Sequence, residues 1–162
     1  MAIVYLGLGS NINPEENLGV GVRELRRRYG ETELSDTYQS AAVGFDGADF
    51  LNLVVRLEAS DTAVRIHDQF EAIHKMAGRQ PGKEKYSSRP LDIDLLLYDD
   101  LVIDEPPLRL PRPDILEYSF VLRPLSEIAP DLVHPVCGRT LGDLWQEFDK
   151  ESHPLTRVHV IL

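Results

Sequence analysis

Apolar residues recur along this chain with two different periods, and the changeover points mark its elements. Residues 2–8 are nearly all apolar and end at Gly9, Ser10 and Asn11, the pattern of a buried strand with a turn after it. Pro14 and Glu15 open a helix that runs to about Arg28, with Leu18, Val20, Val22 and Leu25 as its apolar contacts. Arg26, Arg27 and Arg28 fall at its carbonyl end, where cations complement the helix dipole. Residues 33–43 read as an extended strand ending at Gly44. Residues 49–57 alternate, with Leu51, Leu53, Val55 and Leu57 toward the core and Phe50, Asn52, Val54 and Arg56 on a polar side. Helical spacing returns over 61–77, with Asp61 as N-cap, Ile66, Phe70, Ile73 and Ala77 inward, and Val64, His67, Glu71 and His74 outward. A further strand covers 91–97, Val102 and Ile103 suggest a short return strand, and 120–128 and 140–148 read as helices. Residues 156–162 form a last strand or an extended tail. This order predicts an α+β fold: a ferredoxin-like sandwich with a mostly antiparallel sheet and helices packed on it.

A length of 162 residues suits one domain spanning 1–162, able to bury roughly two-thirds of its unfolded surface. No run approaches a membrane span, and the start lacks the basic flank of a signal peptide, so a cytoplasmic protein away from membranes is expected. Cys137 is the only cysteine, which excludes an intrachain disulfide and a cysteine-based zinc site. A formal charge of −10 argues against a nucleic-acid surface. A monomer is the expected state, with an oligomer left open.

Against that acidic background one segment reverses sign. Arg79, Lys83, Lys85 and Arg89, with Glu84 opposing, give residues 79–89 a local charge of +3. Glycine and proline break this loop, which runs directly into the strand at 91–97. There Leu91, Ile93 and Leu95 share one face while Asp92 and Asp94 share the other, about 7 Å apart along the chain. Two hard oxygen ligands at that separation suit Mg²⁺, which takes one or two carboxylates and completes its shell with water and substrate phosphates. A solvated acidic strand beside a basic surface loop is the alternative. On the polar side of 49–57, Asn52 supplies a donor and an acceptor and Phe50 a stacking plane, as a flat heterocycle requires. Gly7 and Gly9 fail the dinucleotide-binding pattern, because Ile12 stands at the third glycine position. His67 and His74 share a helix face without a third ligand, so they read as solvated or hydrogen-bonded residues.

The segment from Arg89 to Tyr98, Arg-Pro-Leu-Asp-Ile-Asp-Leu-Leu-Leu-Tyr, resembles the signature of the 6-hydroxymethyl-7,8-dihydropterin pyrophosphokinases. These folate-pathway enzymes move a pyrophosphate from ATP to a pterin alcohol. The resemblance extends through Leu8 to Asn11, Phe50 to Asn52, Gly78 and Arg79, Leu110 and Pro111, and Phe120 to Pro130, in the family's order and at about its spacing. It implies a pterin site made of Ser40, the backbone near Ala41 and Val43, Phe50, Asn52 and Phe120, with the two rings sandwiching the bicycle. It also implies an ATP site of Glu71, Arg79, Lys83, Lys85, Arg89, Ile93, Arg109 and Arg112. Asp92 and Asp94 would hold two Mg²⁺ ions bridging the phosphates, one of them touching the pterin hydroxymethyl oxygen. Arg79 and Arg89 would neutralise developing phosphate charge, and Lys83 and Lys85 would ride on a closing loop.

The chain also departs from that family. Ser40 and Ala41 stand where the family usually has Thr-Pro, and Phe50 where it often has Tyr. Arg112 replaces a His between prolines, and Tyr118 an Arg. Pro81 stands for a second Arg, Tyr86 to Ser88 for a Trp-Gly-Pro run, and His74 for an acidic residue. A tyrosine cannot supply the charge-assisted bidentate contact of a guanidinium. Two readings follow: an ATP-dependent pterin pyrophosphokinase, which could be a divergent paralogue acting on a related pterin, or a non-catalytic pterin- or nucleotide-binding module.

Overall fold

A computed structural model describes residues 1–78 and 88–162. Strand β1 (Ala2–Ser10) leads through helix α1 (Pro14–Tyr29) to β2 (Thr32–Leu34) and β3 (Thr37–Ser40), then to the long β4 (Phe50–Ala59). Helix α2 (Ala63–Met76) precedes β5 (Asp92–Tyr98). The hairpin β6 (Ile103–Glu105) and β7 (Leu108–Leu110), helices α3 (Asp114–Glu117), α4 (Ser119–Ile128) and α5 (Leu141–Glu147), and β8 (Thr156–Val158) complete the chain. The main sheet runs β5-β1-β4-β3-β8, with β2 also paired to β4, and every described pairing is antiparallel. β4 thus inserts beside β1 between the two ends of the first crossover, the arrangement of a split βαβ unit. The expected α+β sandwich is the one observed.

One face of the sheet carries Val4, Leu6, Leu8, Leu53, Val55, Leu57, Ile93 and Leu95, and packs on Leu18, Val22 and Leu25 of α1 and Ile66, Phe70 and Ile73 of α2. Gly21, rather than the expected Val20, completes the buried stripe of α1. A Cβ there would come within 3.3 Å of Leu8 and Leu91, so the glycine permits the close approach of helix to sheet. The opposite face is also covered. Tyr5, Val54, Leu96 and Leu97 meet Ile115, Val121, Leu122, Leu125 and Leu141 of α3, α4 and α5. The side of β4 expected to be polar is therefore buried at Asn52 and Val54. A register shift opposite Tyr5 and Leu6 places Leu96 and Leu97 together on this second face, where strict alternation would have separated them.

Two local expectations are corrected. The strand foreseen over 33–43 is broken at Ser35 and Asp36 and ends at Ser40. Ser35 Oγ accepts the Val54 amide at 2.8 Å, so a side chain takes a ladder position from the backbone. Helix α2 is capped by Thr62, whose hydroxyl accepts from the Arg65 amide, rather than by Asp61, whose carbonyl accepts from Tyr98 Oη. No helix among the described residues is long and apolar enough to cross a membrane.

At the far edge, Tyr38 is fully buried, its hydroxyl bonded to Glu127 and approached by Arg157 Nη2 at 3.0 Å. This network ties β3 and β8 to α4. Because Leu122 is 1 % exposed at the α4–sheet contact, Leu122→Ala should lower the unfolding free energy by about 2–5 kcal/mol in urea denaturation. A loss below about 1 kcal/mol would contradict the described packing of the second face.

Candidate active site

A cavity of about 610 Å³ opens on the sheet, walled by α2 on one side and by residues of α3 and α4 on the other. Its floor is a row across three strands. Gly9 of β1 is paired with Asn52 of β4 on one side and with Asp92 of β5 on the other, and Gly7 is paired with Val54 and Asp94. Two strand spacings put the backbones at Asn52 and Asp92 about 10 Å apart. Between them Gly9 has no side chain, and a Cβ there would stand 2.9 Å from Asn52 Oδ1. The two glycines that fail a dinucleotide motif thus clear the cavity floor.

Around this floor the structure gathers all the foreseen site residues that lie in its described part. Ser40, Ala41, Val43, Phe50, Asn52, Phe120, Glu71, Arg89, Asp92, Ile93, Asp94, Arg109 and Arg112 line the one cavity. Arg79, Lys83 and Lys85 lie outside the described residues. The alternation read for β5 holds, with Ile93 and Leu95 buried in the core and Asp92 and Asp94 half-buried on the cavity side.

One end of the cavity is aromatic and amide-lined. Asn52 is buried and donates from Nδ2 to Ser40 Oγ at 2.9 Å, which fixes the orientation of the amide. Phe50 meets Phe45 edge-on at 6.3 Å, and Phe120 stacks on Tyr118 with centroids 5.0 Å apart and planes 17° from parallel. Tyr118, standing for the family's Arg, thus backs one of the rings. The loop after β3 is stapled by Asn11, whose Nδ2 donates to Ala48 O and Ser88 Oγ and whose Oδ1 accepts from the Arg89 amide at 2.7 Å. A single side chain of the Leu8 to Asn11 motif therefore sets both the loop after β3 and the backbone of Arg89.

The other end is ionic. Arg89 Nη1 lies 3.3 Å from Asp92 Oδ1. Arg112 bridges two carboxylates, 3.4 Å from Asp94 and 3.2 Å from Asp114. Arg109 is far more open and faces Asp104 at 3.9 Å. Asp94 retains 31 % of its side-chain surface toward the cavity, yet the walls crowd it closely. Burial first, and the Asp92 and Asp114 charges after it, push its carboxyl up to about 7, against the opposing pull of Arg112 and Arg89. Among the described residues in ionic contact here, three carboxylates, Asp92, Asp94 and Asp114, face the guanidiniums of Arg89 and Arg112, a deficit of positive charge.

That deficit, with hard carboxylate oxygens on one strand face, fits a divalent cation. Among the described residues no three His, Cys, Asp or Glu side chains form a closed cage. Mg²⁺ needs none, since one or two carboxylates and the phosphates of a bound nucleotide suffice. Asp92 and Asp94 are the residues that would hold it.

Sequence reasoning missed several members of the site. Gly7 and Gly9, Phe45, Asp114 and Tyr118 line the cavity beside the foreseen residues. His74, placed outward by helical spacing, is buried and points inward to β5. Its position at the edge of the helix's apolar stripe was one signal and its place where the family has an acidic residue another, while the pairing across 19 residues gave none.

With this geometry in place, comparison with known proteins is decisive. Residues 5–130 match the pattern of the 7,8-dihydro-6-hydroxymethylpterin-pyrophosphokinase (HPPK) family. The chain belongs to this family. An Aquifex aeolicus 2-amino-4-hydroxy-6-hydroxymethyldihydropteridine pyrophosphokinase is 34% identical over 149 residues, covering 91% of this chain and 92% of the relative. The Synechocystis protein of the same name is 37% identical over 147 residues, 89% of this chain and 75% of its own. Among solved structures, the Plasmodium falciparum HPPK-DHPS chain superimposes with a TM-score of 0.75 at 13% identity, over 93% of this chain and 46% of that one. That likeness carries the fold alone, and this chain spans less than half the length of the Plasmodium chain.

The raised Asp94 carboxyl predicts a pH effect for this HPPK chain without metal. It holds its proton up to about 7 when folded and only to 3.8 when unfolded, so across that window the folded chain binds more protons and loses stability as pH rises. Asp94→Asn removes this loss. In urea denaturation with a chelator, the stability of the variant relative to the original chain should grow between about pH 5 and about pH 8. A constant or shrinking difference would contradict the assignment.

Proposed function

We propose that this chain catalyses transfer of the terminal diphosphate of ATP to the hydroxymethyl oxygen of 6-hydroxymethyl-7,8-dihydropterin, releasing AMP, as a step of folate biosynthesis. In its simplest form the enzyme acts as a monomer in the cytoplasm, with residues 1–162 forming one catalytic domain. The observation that carries the reading is the joining of two chemically different ends in one cavity: the amide, hydroxyl and rings of Asn52, Ser40, Phe50 and Phe120, and the carboxylates and guanidiniums of Asp92, Asp94, Arg89 and Arg112.

Asn52 and Ser40 satisfy the polar edge of the pterin, and Phe50 and Phe120 take its faces. The floor opened by Gly9 lets the bicycle lie against the backbone, its hydroxymethyl arm directed along the row toward Asp92. The new bond joins the hydroxymethyl oxygen to the β-phosphorus of ATP. The bond broken is the one from that phosphorus to the bridging oxygen, which departs on AMP, and the hydroxyl proton passes to solvent water. Such transfers depend on in-line positioning and charge neutralisation more than on covalent participation by the protein. Arg89 and Arg112 supply fixed positive charge at the end where AMP departs. Glu71, Ile93 and Arg109 form the outer nucleotide wall. Magnesium held by Asp92 and Asp94 would contribute charge neutralisation on the phosphates and acidify the attacking hydroxyl.

One observation favours a second reading, a binding module without turnover. Arg112 is engaged by two carboxylates, and Tyr118 in place of an Arg is stacked on Phe120, so this end has lost guanidinium capacity.

Quantifying AMP from ATP, Mg²⁺ and the pterin separates the two. Turnover abolished by Asp94→Ala supports the enzyme, and tight pterin binding with no AMP supports the module. Arg89→Ala should lower kcat by about 100-fold, as loss of a fixed charge-stabilising donor does. Arg109→Ala, open to solvent at 67 % of its side chain, should change kcat by less than about fivefold. Equal losses in the two variants would contradict the assigned roles.

A further inference from the structure

Strand β5 is the edge of its sheet: β1 pairs with one side, and no described strand pairs with the other. Edge strands present amides and carbonyls that the ladder does not satisfy. Among the described residues, two of these groups on β5 have partners from outside the sheet. The Leu96 carbonyl accepts from the Arg112 amide at 3.0 Å. The Ile93 amide donates to Nε2 of His74 at 3.0 Å, within a buried contact. Ile93 is the residue between Asp92 and Asp94, so this bond grips the backbone midway between the two carboxylates.

His74 is suited to that task by its place on α2. It is 6 % exposed and follows Ile73, which is fully buried in the contact of α2 with the sheet. The helix therefore supplies a rigid mount. An amide can only donate, so Nε2 is the unprotonated nitrogen in this bond and the ring proton resides on Nδ1. A neutral ring there accepts the amide without adding to the negative charge of Asp92, Asp94 and Asp114.

We propose that His74 is a positioning residue for the carboxylate pair. By taking the Ile93 amide it fixes the pleat of β5 at its outer edge, so that Asp92 and Asp94 stay turned together toward the cavity with a constant separation. Outer-shell partners of this kind hold metal-binding groups in register and set affinity without touching the ion. The inference rests on the reading of Asp92 and Asp94 as the cation end of the cavity, and the test distinguishes failure of one from failure of the other.

His74→Leu removes the acceptor, and His74→Gln returns one at the same reach. In the full chain without substrates, hydrogen exchange of the Ile93 amide and Mn²⁺ binding by electron paramagnetic resonance are measured first, and steady-state AMP release afterwards. In His74→Leu, Ile93 exchange should accelerate by at least about tenfold and Mn²⁺ affinity and kcat should each fall by about tenfold, with the pterin KM within about twofold. His74→Gln should recover most of each. If His74→Leu does not fold, His74→Asn, which is too short to reach Ile93, takes its place in the comparison. A folded acceptor-less variant with unchanged Mn²⁺ affinity and kcat, or a His74→Gln variant as impaired as His74→Leu, would overturn the proposal. An original chain that binds Mn²⁺ in a His74-dependent way yet releases no AMP would refute the pyrophosphokinase reading and leave this inference standing.

Discussion

The period-two alternation of β5 is the constraint from which the site follows. Burying Ile93 and Leu95 against α1 and α2 commits the strand's orientation, and the same commitment turns Asp92 and Asp94 to the opposite face. A slip of one residue would place two carboxylates in the apolar core, a cost far beyond what a small domain can absorb. The core thus enforces the chemistry: the carboxylates cannot leave the cavity side unless the hydrophobic contact is broken. On that side the register with β1 sets Gly9 and Gly7 opposite them, and β4 brings Asn52 to the far end of the same row.

The electrostatics of the cavity complement this geometry. Crowding and the neighbouring Asp92 raise Asp94 toward neutrality, while Arg89 and Arg112 hold it back. A group balanced in this way is costly in an empty site and favourable in one that receives a cation, and such tension is the mark of a functional location. The aromatic end is arranged differently. There the polar groups are already oriented, Asn52 by Ser40 and the adjoining loop by Asn11, so a flat ligand meets a preformed surface.

Much of this was legible in the sequence, and what escaped did so for identifiable reasons. The alternation of β5 and of β4 and the helical spacing of α1 and α2 are local signals, and the elements lie where those signals put them. The polar face assigned to β4 was judged by Phe50, Asn52 and Arg56, which are polar or aromatic. Only the distant helices α3, α4 and α5 reveal that Val54 and Asn52 are covered. The break at Ser35 depends on a hydrogen bond to Val54, 19 residues away, and no local propensity encodes it. Gly9 reads from the sequence as the start of the turn that ends the first strand, and it lies within that strand, paired on both sides. His74 sits at the boundary between apolar and polar stripes of α2, where periodicity cannot choose, and the Ile93 amide makes the choice.

The central claim is that Asp92 and Asp94 face one cavity and there receive the phosphate tail of a nucleotide through divalent cations. A crystal structure with Mg²⁺, a non-hydrolysable ATP analogue and 6-hydroxymethylpterin tests it most directly. The account predicts cation density on both carboxylates, with the phosphates beyond it and the pterin between Phe50 and Phe120 against Asn52. Phosphates bound elsewhere, with Asp92 and Asp94 still paired only to Arg89 and Arg112, would contradict it.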